Sequence, residues 1–217
     1  MKKLEISRLA QTMIKEDVLV LDAEMTSRKQ RSIISLSVVS SKTGTVLMDT
    51  LIASKFDISE EAFGVHGITN NDLVDAPTFL EVWRELELIR DGRQLTSFMT
   101  EADFDAIEFT LAHEAGVQES DLMDVDIYTN PLLQYIGNAH PVAVSLKNEA
   151  RGYCIQKLFT DMYGTRYGNK VGLHAALSKI NSNYQGAAHT AKADALAALK
   201  VLSYIAEFES RMLSKST

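Results

Sequence analysis

The chain has 217 residues, 46% of them hydrophobic, and a formal net charge of −7. That length supports one domain with a real core. The acidic balance excludes a protein that coats duplex DNA through many phosphate contacts, though not an enzyme that grips one strand end. The single cysteine, Cys154, excludes an internal disulfide and suits a reducing, cytoplasmic setting. The N-terminus begins Met1-Lys2-Lys3 but has no apolar h-region, so it does not read as a secretory signal. No stretch approaches the ~20 apolar residues of a membrane span.

The first clear element is a continuous apolar run over 18–22 that ends in an acid, Val-Leu-Val-Leu-Asp. It predicts a central strand buried on both faces. Residues 33–39 and 45–53 predict two further strands joined by a turn at Thr43-Gly44, an antiparallel hairpin. Phe79, Trp83, Leu86 and Ile89 recur at helical spacing over 78–91. Thr78 and Glu81 form a capping box there, and Gly92 is the stop. A strand over 94–99 follows, then a helix carrying Phe104, Ile107, Glu108 and Leu111 that ends near Gly116. Residues 117–140 are acidic, with a turn at Asn130-Pro131, and read as an insertion in a single domain spanning 1–217. A fifth strand falls at 141–146 or, alternatively, at 124–128. Helices are predicted over 148–163, 172–181 and 190–213, with a Gly-rich polar loop over 164–170. The order predicts a mixed α/β sheet of five strands, the second antiparallel, with helices on both faces.

Carboxylates stand where these elements end or begin. Asp22 and Glu24 are separated by one residue, so an extended segment puts both side chains on one face. Two like charges one pleat apart are unfavourable without a cation, and a hard divalent metal resolves the repulsion. Solvated acids at a strand end explain the pair about as well. Asp103 and Asp105 lie where a helix begins, where acids are favoured by the helix dipole. His189 and Asp194 are five residues apart and converge only if His189 precedes the helix and Asp194 lies within it, with Thr190 as N-cap. A histidine so placed can take a proton from an attacking water.

Taken together and in order, these stretches resemble the DEDD-type 3′→5′ exonucleases, in the branch with a catalytic histidine. That branch includes the epsilon proofreading subunit of bacterial DNA polymerase III, ribonuclease T and oligoribonuclease. Asp22-Ala23-Glu24 is similar to the first motif, Ala102-Asp103-Phe104-Asp105 to the second and His189 to Asp194 to the third. The segment at 62–79 resembles the one that follows the third strand in epsilon-like members. The resemblance implies a ribonuclease H-like fold and two Mg²⁺ or Mn²⁺ ions. It implies Asp22, Glu24, Asp105 and Asp194 as metal-site carboxylates, with His189 as general base. It implies hydrolysis of single-stranded or frayed DNA 3′ ends to nucleoside 5′-monophosphates, in proofreading or repair, with a DNA polymerase as the protein partner of a proofreading role. The alternatives are an exoribonuclease acting on RNA 3′ ends or short oligoribonucleotides, and a catalytically weak exonuclease-like binding module. By the same resemblance Met25, Thr26 and His66 are candidate substrate contacts, although a turn-capping role explains His66 equally well.

Two departures stand out. Thr100-Glu101-Ala102 replaces the His-Asn-Ala of relatives, and Thr26-Ser27 replaces Thr-Gly. Neither removes a metal ligand. Arg28, Lys29 and Arg31 form a small basic cluster beside the first motif, better read as a solvated turn than as phosphate contacts. Tyr153, Tyr163 and Tyr167 are candidates for base stacking, but packing explains Tyr153 and Tyr163 better.

Overall fold

The computed structural model describes residues 3–114, 154–164 and 170–214. Among these residues one mixed sheet has the strand order β3-β2-β1-β4. Its strands are β1 (Leu19–Met25), β2 (Ile33–Ser40), β3 (Val46–Leu51) and β4 (Leu95–Ser97). β2 runs antiparallel to both β1 and β3, and β4 runs parallel to β1. The described sheet therefore has four strands where five were expected. Both candidate positions for the fifth, and the insertion over 117–140, lie outside the described residues.

The sheet separates two apolar layers. Val18 and Val20 point to one face, against α1 (Lys3–Lys15), α5 (Ile155–Tyr163) and α7 (Ala191–Ala206). Leu19, Leu21 and Ala23 point to the other, against α3 (Phe79–Arg90) and α4 (Thr100–Glu114). This is the two-residue alternation of a strand buried on both sides. Asp22 and Glu24 continue the Val18–Val20 face, so the strand itself aims both acids at the layer that contains α7.

Several expected signals carry through. Thr78 and Glu81 form the capping box of α3. The helix ends at Asp91 (φ 46°), with Gly92 (φ 77°) beyond it. Glu114 also accepts from the backbone N–H groups of Phe79 and Leu80, satisfying donors that the first turn leaves free. The expected 190–213 helix is two helices, α7 and α8 (Phe208–Leu213), separated at Glu207. The carbonyl of Ala206, at the end of α7, accepts from Ser7 Oγ and Gln11 Nε2 of α1, both at 2.9 Å. Helix α1 was not foreseen, because only Ile6, Ala10 and Met13 mark its buried stripe. The short helices α2 (Glu60–His66) and α6 (Leu173–Lys179) complete the described elements apart from a 3₁₀ turn at Asn70–Leu73.

Candidate active site

β1 and β4 are parallel neighbours, so their carboxyl ends open on the same edge of the sheet. Such an edge is where open α/β sheets place their ligands. Strand β1 stays extended through both acids, and its pairing with β2 shifts register between Glu24 and Met25. Asp194 comes from the first turn of α7. Oxygens of Asp22, Glu24 and Asp194 all lie within 4.8 Å of one another.

His189 sits immediately before α7 with a left-handed backbone (φ 62°), and Thr190 is the N-cap, accepting from the Ala193 N–H. That reversal folds the loop back on the helix. The His189 backbone N–H donates to Asp194 Oδ1 at 3.3 Å. The arrangement is the one the five-residue spacing requires: histidine on the loop, aspartate in the helix.

The fourth carboxylate differs from the expectation. Helix α4 begins at Thr100; Thr100, Asp103, Phe104, Ile107, Thr110 and Leu111 form its buried stripe, with Ala106 and Ala112 buried beside it. Asp103 belongs to that stripe and is 5% exposed. Asp105 is about 200° further round the helix. It is half-buried on another face and pairs with Arg31 at 3.3 Å. The helix thus turns Asp103, and not Asp105, toward Asp22, Glu24 and Asp194. The stripe of helical spacing was the signal in the sequence that separates the two.

Electrostatics mark the same four groups. Burial pushes the Glu24 carboxyl up to about 8, and the charges of Asp194 and Asp103 push in the same direction. Burial raises Asp103 to about 7, with the Ser97 hydroxyl opposing and Asp194 adding to the rise. Asp22 is driven well above the carboxylate range by burial and by Asp103, Asp194 and Glu24. Burial raises Asp194 too, opposed by the His189 backbone N–H and side chain. Crowded, buried carboxylates oppose one another's ionisation, and a divalent cation relieves that repulsion. All the donors are hard oxygens, which suits Mg²⁺ or Mn²⁺. The residues present therefore fit a divalent metal centre. Tyr184, which the sequence did not single out, feels the same field: burial, then Asp194 and Asp22, raise its phenol to about 12.

The expected substrate contacts divide. Thr26 is fully buried, and its hydroxyl donates to the Gln30 carbonyl. Its backbone N–H donates to Ser32 and its carbonyl accepts from Ser59. These bonds shape the 26–32 loop and leave Thr26 committed within it, contrary to the expected contact through its side chain. Met25 is partly buried against the core formed with α3 and α4. His66 ends α2, and its Nδ1 accepts from the Ile68 N–H beside Gly67. That is the turn-capping role. Burial lowers its pKa, while the Met25 backbone carbonyl works against that. Of the tyrosines, Tyr163 packs on Phe159 and Tyr204. Tyr153 and Tyr167 lie outside the described residues.

Comparison with known proteins places the chain in a family and a fold. The RNase_T family model, described as exonuclease, matches residues 19–130, just over half of the chain. The fold is similar to the nuclease domain of 3′hExo, a DEDDh family member bound to rAMP. That likeness has a TM-score of 0.60 at 12% identity over 90% of this chain and 92% of that one. A 3′-exonuclease structure concerned with 3′-end-specific recognition of a histone mRNA stem-loop is similar at a TM-score of 0.60. Its identity is 11%, over 90% of this chain and 82% of that one. Exonuclease X with a 5′-overhanging duplex DNA is similar at a TM-score of 0.50 and 18% identity, over 85% and 89%. At these identities the likeness is one of fold, the ribonuclease H-like architecture. No curated protein matches the sequence.

Proposed function

The chain belongs to the RNase_T exonuclease family, and from that premise we propose that it is a divalent-metal-dependent 3′→5′ exonuclease releasing nucleoside 5′-monophosphates from single-stranded or frayed 3′ ends. The observation that carries this reading is the trio Asp22, Glu24 and Asp194, with ligand oxygens within 4.8 Å of one another and the charge of buried Asp103 acting on Asp22 and Glu24. In this reading Asp22, Glu24, Asp194 and Asp103 hold two Mg²⁺ or Mn²⁺ ions. Two divalent ions held there would supply electrostatic stabilisation to the attacking and leaving oxygens of an in-line displacement.

The protein's own groups do the rest. The imidazole of His189 takes the proton from the attacking water as the water oxygen bonds to phosphorus. As that bond forms, the bond to the 3′ oxygen of the preceding nucleotide breaks, and that oxygen keeps the electron pair and takes a proton from solvent to become the new 3′ hydroxyl. The bond from the His189 backbone N–H to Asp194 Oδ1 fixes the loop to the carboxylate centre. His66 supports the chain just beyond Glu24 by packing near the Met25 carbonyl.

DNA is the proposed substrate, supported by the epsilon-like segment at 62–79, and a polymerase is the partner such a substrate suggests. The test is mononucleotide release from matched DNA and RNA oligomers with Mg²⁺, Mn²⁺ or chelator. Metal-dependent release from the 3′ end, faster on DNA, is expected. Release of longer fragments, or release that chelator does not touch, contradicts the proposal.

A further inference from the structure

Beside the first turn of α4 lies a cavity of about 650 Å³. Its described wall carries three cations, Arg31, Lys157 and Lys170, and the three acids Asp105, Asp161 and Glu101. Each cation faces one acid. Lys157 and Asp161 are 2.6 Å apart within one helix, Arg31 and Asp105 3.3 Å, and Lys170 and Glu101 3.5 Å. The last two pairs join separate parts of the chain and are the longer ones. The Lys170–Glu101 pair is also the most exposed of the three, at 70% and 74%.

A phosphodiester strand approaching this protein meets a net charge of −7 and a centre built entirely from acids. Cations must therefore meet the strand before the centre does. Arg31 is well placed, on the loop that continues from Glu24. The cavity and the centre share α4, which lines the first with Thr100, Phe104 and Asp105 and supplies Asp103 to the second, and a helix with its side chains is about 10 Å across. A short strand spans that distance. Exposed ion pairs add little to stability, so their cations exchange one anionic partner for another at small cost.

Resting on the exonuclease reading, we infer that this cavity is the track for the strand upstream of the departing nucleotide. Arg31 and Lys170 are its phosphate contacts, and Asp105 and Glu101 occupy those cations until a strand arrives. Glu101, one of the two departures from the family pattern, is then a restraint on strand binding rather than a part of the metal centre.

The test is fluorescence anisotropy of a 5′-labelled eight-nucleotide thymidine strand across a salt series. It is run in chelator, so that no divalent ion bridges the strand and the centre. Arg31→Gln/Lys170→Gln should lower the slope of log Kd on log salt by about 1.4, the release of two single-strand phosphate contacts. Glu101→Gln should tighten binding, because it frees Lys170. A merely structural ion pair predicts the same sign for Lys170→Gln and Glu101→Gln. No binding by the wild-type chain, an unchanged slope, or weakening by Glu101→Gln overturns the track. Mononucleotide release, measured separately, tells the two ideas apart. Strand binding with the expected slope but no release sinks the exonuclease reading, whereas release with an unchanged slope sinks the track alone.

Discussion

Asp103 and Asp105 stand two residues apart on one helix and live in different worlds. Asp103 is buried, its carboxyl is held near neutrality, and it acts on Asp22 and Glu24. Asp105 is half-exposed and balanced by Arg31 at 3.3 Å. The side chains are chemically identical, and the difference comes from the helix, which turns about 100° per residue. One face of α4 adds an acid to the cluster of Asp22, Glu24 and Asp194, and another pairs with Arg31. A carboxylate's role here is set by the face of its helix, more than by its place in a motif.

The contrast breaks most visibly in turnover. Asp103→Asn should abolish measurable mononucleotide release, because the centre loses a charge where several kcal/mol of transition-state stabilisation are supplied. Asp105→Asn should change kcat/KM by no more than about fivefold, the scale of an exposed ion pair of about 0–1 kcal/mol. Steady-state kinetics on one oligomer separates them, and equal losses would erase the distinction.

The second expected effect concerns His189. His189→Ala should lower kcat by about 10²–10⁴-fold, the usual worth of a positioned general base. Metal affinity should persist, because the bond from residue 189 to Asp194 comes from the backbone. Equilibrium dialysis with Mn²⁺ checks this, and a loss of binding would make the imidazole a ligand.

A third consequence is thermodynamic. Glu24 and Asp103 titrate near 8 and 7 when folded, against ordinary values of 4.5 and 3.8. Between those limits the folded chain binds more protons than the unfolded one, so metal-free stability falls as pH rises from about 4 to about 8. Denaturant titration in chelator at both ends of that window should show the decline. Added Mn²⁺ should restore most stability at the alkaline end, where protons no longer compete for the carboxylates. The smallest effect is on the metal-free fold: Asp103→Asn should raise Tm at about pH 8 by about 3 °C through relief of like-charge repulsion, while Asp105→Asn should not raise it.

The sequence carried the local signals well and the rotational ones poorly. The apolar run ending at Asp22 predicted a buried strand, and the Thr78/Glu81 box and the Thr190 cap were found where the residue pattern put them. Each is a short-range rule, decided by neighbours within a turn. The resemblance puts the fourth carboxylate at Asp105, whereas the helix that starts at Thr100 turns Asp103 inward. The stripe Thr100, Asp103, Phe104, Ile107 fixes the inner face only once that start is known. Thr26 was misjudged for a related reason. Its burial depends on Gln30, Ser32 and Ser59, partners that a strand-end motif does not name. The cation wall was also hard to foresee, since Arg31 and Lys170 lie far apart in sequence and share a cavity only after α4 and α5 have packed.

Calorimetric Mn²⁺ titration of Asp103→Asn beside Asp105→Asn tests the four-carboxylate centre most directly. The Asp105 variant should reproduce the wild-type isotherm, and the Asp103 variant should bind fewer ions or bind them at least about tenfold more weakly. The reverse pattern, with metal lost on changing Asp105 and kept on changing Asp103, would contradict the centre described here.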